Sequence, residues 1–151
     1  MSKIVIATDS TCDLSQEIID KYDIKVLPLY VTFGNKVYKD RVEMNVDKMY
    51  QMVDETGIYP KTSAASPEDF YKFFKKLLEA DNEIIYMGIG SSLSSTLQNA
   101  FLGRSEFSEE EQARIHLVDS LNLSTGIGLL LLKAATFRDQ GDSVKEIKEK
   151  V

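Results

Sequence analysis

The stretch KIVIATDSTCDL, residues 3–14, begins with β-branched residues and ends in hydroxyl and carboxyl side chains. This pattern predicts a strand over residues 3–7 that delivers the polar residues 8–10 at its carboxyl end. Ser15 then has the side chain to cap a helix over residues 16–22. A strand followed at once by a helix is the first unit of an α/β sheet.

The same alternation continues along the chain and predicts one α/β domain over residues 1–151. We expect a three-layer α/β/α fold with a largely parallel sheet and helices on both faces. An aromatic stripe at helical spacing, beginning at Phe70, predicts core packing rather than a cofactor site. Further strands are predicted over 24–33, with a hairpin at Gly34-Asn35 into 37–38, and over 83–89 and 115–118. Further helices are predicted from Asn45 or Asp47 to Gly57, from Ser66-Pro67, over 94–107, from Ser124 to about Gln140 and from Ser143. A loop is predicted over 60–66 and a surface turn at 109–111.

Composition excludes several classes of partner. The chain has 24 acidic and 18 basic residues, a net charge of -6, so it lacks the cationic excess with which proteins bind nucleic acids or anionic membranes. Its most apolar run, 127–132, is far too short to cross a bilayer, which predicts no membrane insertion. The single cysteine, Cys12, excludes an intramolecular disulfide and favours a cytoplasmic location.

Ligands of parallel α/β sheets bind beyond the carboxyl ends of the strands. In this sequence three such ends lead into hydroxyl-rich loops, and a fourth loop carries Thr62-Ser63. Each serine could simply cap a helix, but several such loops on one sheet edge favour a site for a small anion. The hydroxyls predicted to bind the ligand are those of Thr62, Ser63, Ser91, Ser92, Ser94 and Ser120.

Catalytic patterns fit the chain poorly. A phosphatase of the two-aspartate type needs its second carboxylate two positions after the first, whereas Asp13 follows Asp9 by four. The only histidine, His116, falls inside a predicted strand, and Cys12 has no neighbouring base. These residues predict no catalytic group and no metal site. A phosphate-handling enzyme that uses Asp9 and the hydroxyl loops with Mg²⁺ is the alternative, and a pure interaction module is a third reading.

Four segments resemble one family in the right order along the chain. They are DSTCDL at 9–14, TSAASP at 62–67 with Ala65 where proline is usual, IGSSLSSTLQNA at 89–100, and VDS at 118–120. Together they resemble the DegV family, fatty-acid-binding proteins that present acyl chains to a fatty acid kinase.

The resemblance implies that the hydroxyls of Thr62 and Ser94 hold the carboxylate of a long-chain fatty acid. It also implies no chemistry on this chain, no cofactor, and the catalytic subunit of a fatty acid kinase as partner. Family members carry a second, lipid-enclosing domain, so the chain looks like an N-terminal half. We therefore expect an exposed apolar patch near the hydroxyl loops, weak fatty-acid binding and formation of a homodimer.

Overall fold

A computed structural model describes residues 3–78 and 81–151. The strands are β1 (Ile4–Asp9), β2 (Lys25–Leu27), β3 (Tyr30–Phe33), β4 (Lys36–Lys39), β5 (Lys61–Ser63), β6 (Glu83–Gly88) and β7 (Ile115–Asp119); the helices are α1 (Gln16–Lys21), α2 (Val46–Thr56), α3 (Pro67–Leu78), α4 (Thr96–Ser105), α5 (Glu109–Ala113), α6 (Thr125–Asp139) and α7 (Val144–Lys150). Strands and helices alternate along most of the chain, although β2, β3 and β4 follow one another directly, and the strands form two separate sheets.

The larger sheet is parallel, with strand order β2-β1-β6-β7. Successive side chains of its strands point to opposite faces. Ile6 and Ile85 therefore pack with residues of α1, α6 and α7, whereas Ala7 and Tyr86 pack with residues of α3 and α4. The predicted three-layer α/β/α fold is confirmed, and the stripe beginning at Phe70 lies in its core.

The predicted strand over 24–33 is wrong at its middle, because β2 and β3 belong to different sheets. The strand is interrupted at Pro28, which has no N–H to donate to the backbone hydrogen bonds of a sheet. The next amide, that of Leu29, donates instead to Ser10 Oγ at 3.1 Å. Beyond the break, β3 and β4 form the predicted hairpin, with Gly34 at a φ of 55°.

The predicted loop over 60–66 is also partly wrong, since β5 pairs antiparallel with β3. In the resulting order β4-β3-β5, β5 is an edge strand of three exposed residues. Two smaller differences concern helices. α4 begins at Thr96 rather than Ser94, and the acidic run after Ser108 forms the short helix α5 through a capping box with Glu111.

Within the described ranges, no helix combines the length and the apolarity that crossing a bilayer requires.

Candidate functional site

A groove of about 660 Å³ lies where β1 and β6 end, bounded by β5 and by the segment before α4. We call it the hydroxyl groove. Its wall combines hydroxyl groups with apolar side chains, which suits a ligand that has a polar head and an apolar tail. The hydroxyl residues are Thr11, Tyr30, Thr62, Ser63, Ser94 and Ser95; the apolar ones include Leu29, Val31, Ile89, Leu93 and Leu123, and Asp40 also lines the groove.

Thr62 reaches the groove because β5 pairs with β3. In that register Thr62 lies directly opposite Val31, so the two side chains share one face of the sheet. Val31 is buried, whereas Thr62 is exposed. Across the described ranges, the Thr62 hydroxyl has no hydrogen-bond partner, and it is therefore free to bind a ligand.

Ser94 approaches from the other side, in the segment that leads into α4. Its Oγ accepts a hydrogen bond from the Thr96 amide at 3.2 Å and lies 2.8 Å from Thr96 Oγ1. Thr96 is fully buried, so these contacts hold the half-buried Ser94 hydroxyl in place. When Thr96 Oγ1 donates to Ser94, the Ser94 hydroxyl proton is available to an acceptor in the groove.

Asp9 lies behind the groove and is fully buried. Its Oδ1 accepts hydrogen bonds from the amide and the hydroxyl of Thr11, at 2.9 and 2.5 Å. Its Oδ2 accepts from the Tyr86 hydroxyl and the Ile89 amide, both at 3.0 Å. Burial and the Asp9 charge together raise the pKa of Tyr86 well above its ordinary value. Asp9 thereby fixes Thr11 and Ile89, two residues of the groove wall.

This arrangement bears on the phosphate-handling alternative. A nucleophilic or Mg²⁺-binding aspartate needs an oxygen that its substrate or ion can reach. Both oxygens of Asp9 already accept two protein donors each, inside the core. The geometry gives Asp9 a structural role.

Ser91, Ser92 and Ser120 lie outside the hydroxyl groove, in the loops after β6 and β7. Ser91 donates its hydroxyl to Asp119 Oδ2 at 2.5 Å, a bond that lowers the pKa of Asp119. Ser120 is buried and donates to the Gly88 carbonyl at 2.6 Å, and Ser92 is exposed. The structure thus brings Thr62, Ser63 and Ser94 together, whereas ligand contacts by the other three serines stay predictions.

The family model described as "Uncharacterised protein, DegV family" matches residues 3–151. This chain belongs to the DegV family. Because the match covers all four motif segments, the resemblance inferred from the sequence is confirmed.

Relatives of this DegV chain include proteins named for fatty-acid binding. A DegV domain-containing protein of Clostridium acetobutylicum is 40% identical over 151 residues, which is 100% of this chain and 53% of the relative. A DegV family protein of Thermus thermophilus, described by its fatty-acid binding, has a TM-score of 0.85 and 34% identity over 98% of this chain and 51% of its own. A stearic-acid-binding protein of Eubacterium ventriosum has a TM-score of 0.88 and 31% identity over 99% and 52%. The chain spans about half the length of these relatives.

The sequence of this DegV chain leads us to expect an exposed apolar patch near the hydroxyl loops but does not identify the residues that form it. Leu29 and Val31 are buried, but Leu93 and Leu123 are 57% and 50% exposed. The leucines of the loops could be seen in the sequence, but the sequence of a loop does not show which of its side chains are exposed. The wall gives an alkyl chain an apolar surface next to the hydroxyls.

The loop after β7 holds part of this wall in an unusual backbone conformation. Leu121 and Ser124 have positive φ values of 51° and 57°, and Asp13, in the segment after β1, has a φ of 50°. Positive φ values cost non-glycine residues about 1–3 kcal/mol each. As predicted, α6 starts at Ser124, which occupies the N-cap position without a capping bond from its side chain. The Ser124 hydroxyl donates to Asp13 Oδ2 at 2.6 Å, which ties this loop to the segment after β1.

His116 and Cys12 are not among the residues that line the hydroxyl groove. His116 sits near the start of β7, at the opposite end of the sheet, with its Nε2 3.2 Å from Glu83 Oε2. Burial lowers the pKa of His116 and raises that of the Cys12 thiol. Among the described residues, no three His, Cys, Asp or Glu side chains converge on a point where they could bind a metal ion.

Proposed function

We propose that this chain binds a long-chain fatty acid and presents it to the catalytic subunit of a fatty acid kinase for phosphorylation. The carboxylate accepts hydrogen bonds from Thr62 and Ser94, with Ser63 as a further donor in the same groove. The observation that carries the proposal is the meeting of available hydroxyls and an apolar wall in one groove of a DegV-family fold. The chain contributes binding and positioning and no chemistry of its own.

Binding free energies support separate roles for the hydroxyl groups and the apolar wall. Moving a carboxylate out of water costs several kcal/mol unless it is hydrogen-bonded, and each hydrogen bond to a charged group contributes about 1.5–3 kcal/mol. Each buried methylene contributes about 0.8 kcal/mol, so a long tail can supply on the order of 10 kcal/mol. The hydroxyls therefore decide which headgroup binds, while the buried length of the tail decides the affinity.

The surroundings of the site belong to the same proposal. In a protein of the relatives' length, we expect the remaining half to enclose the part of the tail that this groove leaves exposed. The single cysteine, which is fully buried, is compatible with the reducing cytoplasm where an acyl-phosphorylating kinase would act.

Extraction of bound lipid, identified by mass spectrometry, tests the ligand class. Titration with palmitate then tests the headgroup site. Thr62→Val and Ser94→Ala should each weaken binding about tenfold or more, because each removes one hydrogen bond to a charged group.

Two helix-surface variants serve as matched controls. Thr136 and Ser105 donate their hydroxyls only to carbonyls of their own helices, so Thr136→Val and Ser105→Ala should leave palmitate affinity unchanged. Equal losses in the control and groove variants would contradict the assigned headgroup site. Absence of any palmitate binding would contradict the function.

A further inference from the structure

Asn99 of α4 connects the two sides of the hydroxyl groove, the segment after β5 and the start of α4. Its Nδ2 donates a hydrogen bond to the carbonyl of Ala65 at 2.8 Å. Ala65 follows Ser63 by two residues, and Asn99 follows Ser94 by five. One side-chain hydrogen bond therefore links the segment that carries Thr62 to the helix that follows Ser94.

This hydrogen bond acts on the distance between β5 and α4, which the pairing of the sheet does not fix. β5 is an edge strand of three residues that pairs only with β3, so its hydrogen bonds do not set its distance from α4. Ala65 is fully buried, and Asn99 is held in α4 by its own amide, which donates to the Ser95 carbonyl at 2.9 Å. A partly buried hydrogen bond between two such fixed points limits how far β5 and α4 can move apart.

We propose that Asn99 is a positioning residue that sets the distance between the Thr62 and Ser94 hydroxyls, and thereby selects a carboxylate headgroup. The inference rests on the proposed function. A carboxylate has two oxygens at a fixed separation, so it benefits from two donors only when their spacing matches. A fatty alcohol has one oxygen and needs only one of the two hydroxyls. Loss of Asn99 should therefore affect acids and alcohols differently.

A double-mutant cycle on the full chain tests this proposal, with palmitate and hexadecanol each displacing a fluorescent fatty acid. Asn99→Ala should weaken palmitate binding about tenfold, the scale of one hydrogen bond to a charged group, and leave hexadecanol binding almost unchanged. In a Thr62→Val background the same substitution should cost almost nothing further. If the two residues acted independently, their losses would multiply instead.

Gln112→Ala is the matched control for lost stability. Gln112 Nε2 donates to the Phe107 carbonyl at 2.7 Å and to the Ser105 carbonyl at 3.4 Å, away from the groove. Its removal deletes the same kind of bond, from a side-chain amide to a backbone carbonyl, without touching Thr62 or Ser94. We expect this variant to lose stability and keep its palmitate affinity. If Asn99→Ala does not fold, Asn99→Ser, which is too short to reach Ala65, takes its place.

Three results would overturn the positioning role: unchanged palmitate affinity, an equal loss for hexadecanol, or losses that multiply in the double variant. In each of them the unsubstituted chain still binds palmitate, so the proposed function survives. No palmitate binding by the unsubstituted chain would instead remove the function itself, and the positioning role with it.

Discussion

At the residue scale, Asp9 shows how one buried carboxylate can hold the wall of the hydroxyl groove in place. It takes donors from Thr11 on one side and from Tyr86 and Ile89 on the other. The Asp9–Tyr86 contact leaves room for only a hydrogen atom at position 88. A Cβ on Gly88 would lie 2.2 Å from Asp9 Oδ2 and 2.3 Å from the Tyr86 hydroxyl.

Gly88→Ala should therefore lower the free energy of unfolding by about 3–5 kcal/mol, as overpacking and broken buried hydrogen bonds combine. Urea unfolding measures the loss. Adding Tyr86→Phe removes one of the two clashing oxygens and should restore part of it. A Gly88→Ala protein as stable as the original would show that Asp9 and Tyr86 can move apart freely.

Asp23 gives a pH-dependent test, because Lys25 and Lys3 lower its pKa from 3.8 to about 2. A carboxyl with a lowered folded-state pKa stabilises the fold above its unfolded pKa and loses that contribution as the pH falls from about 4 to about 2. The Asp23 side chain is 42% exposed, so screening by solvent limits the effect to less than about 1 kcal/mol.

Asp23→Asn should thus lower the free energy of unfolding slightly at pH 7, less at high salt, and hardly at all near pH 2. Asp54→Asn, at an exposed position of α2, is the control and should leave the free energy of unfolding unchanged. A deficit of Asp23→Asn that grows as the pH falls would contradict the assignment.

Individual residues also show how far the sequence could be interpreted. The strand-end position of Asp9 could be predicted, because strand ends are local features. The family resemblance pointed to the hydroxyls of Thr62 and Ser94, whose ligand contacts stay predictions. The role of Asp9 could not be predicted, since it depends on Tyr86, which is 77 positions away in the chain.

At the element scale, β5 was the main error, because a strand of three exposed residues has no apolar periodicity and its partner β3 lies about thirty residues earlier. α3 was predicted from its repeating apolar face, whereas α4, which has no such face, begins two residues later than predicted, at Thr96. α3 and α4 pack closely at Gly103, where a Cβ would lie 2.6 Å from the Pro67 carbonyl oxygen and 2.7 Å from Phe70 Cβ.

Gly103→Ala tests that contact. Alanine is favoured over glycine inside a helix by about 1 kcal/mol, whereas overpacking typically costs about 1–3 kcal/mol. The clashing atoms are a backbone oxygen and a Cβ, neither of which can rotate away, so we expect a net loss of stability in thermal unfolding. Ser105→Ala in the same helix has no such contact and should be neutral or stabilising. A stabilised Gly103→Ala protein would mean that the two helices separate easily.

At the scale of the whole molecule, the rim of the hydroxyl groove carries exposed leucines. Leu121 is 76% exposed and follows β7 closely, and Leu93 and Leu123 stand on the groove itself. Apolar side chains grouped beside a binding groove favour association with another apolar surface. The homodimer expected from the sequence remains a prediction on this basis.

Light scattering over a concentration series tests that prediction. The chain should self-associate as its concentration rises, and Leu121→Ser should shift it toward the monomer. Leu129→Ser removes a leucine of similar exposure, 65%, from α6 and should have no such effect. A chain that stays monomeric at the highest concentration would refute self-association.

The most direct test of the proposed function is a crystal structure of the chain with palmitate. We expect each carboxylate oxygen at about 2.5–2.8 Å from a hydroxyl oxygen, one at Thr62 and one at Ser94, with the tail along the exposed Leu93 and Leu123. Palmitate seated elsewhere, for example with its carboxylate at Arg41 in the cavity between α1 and α3, would contradict the assignment of the hydroxyl groove as the fatty-acid site.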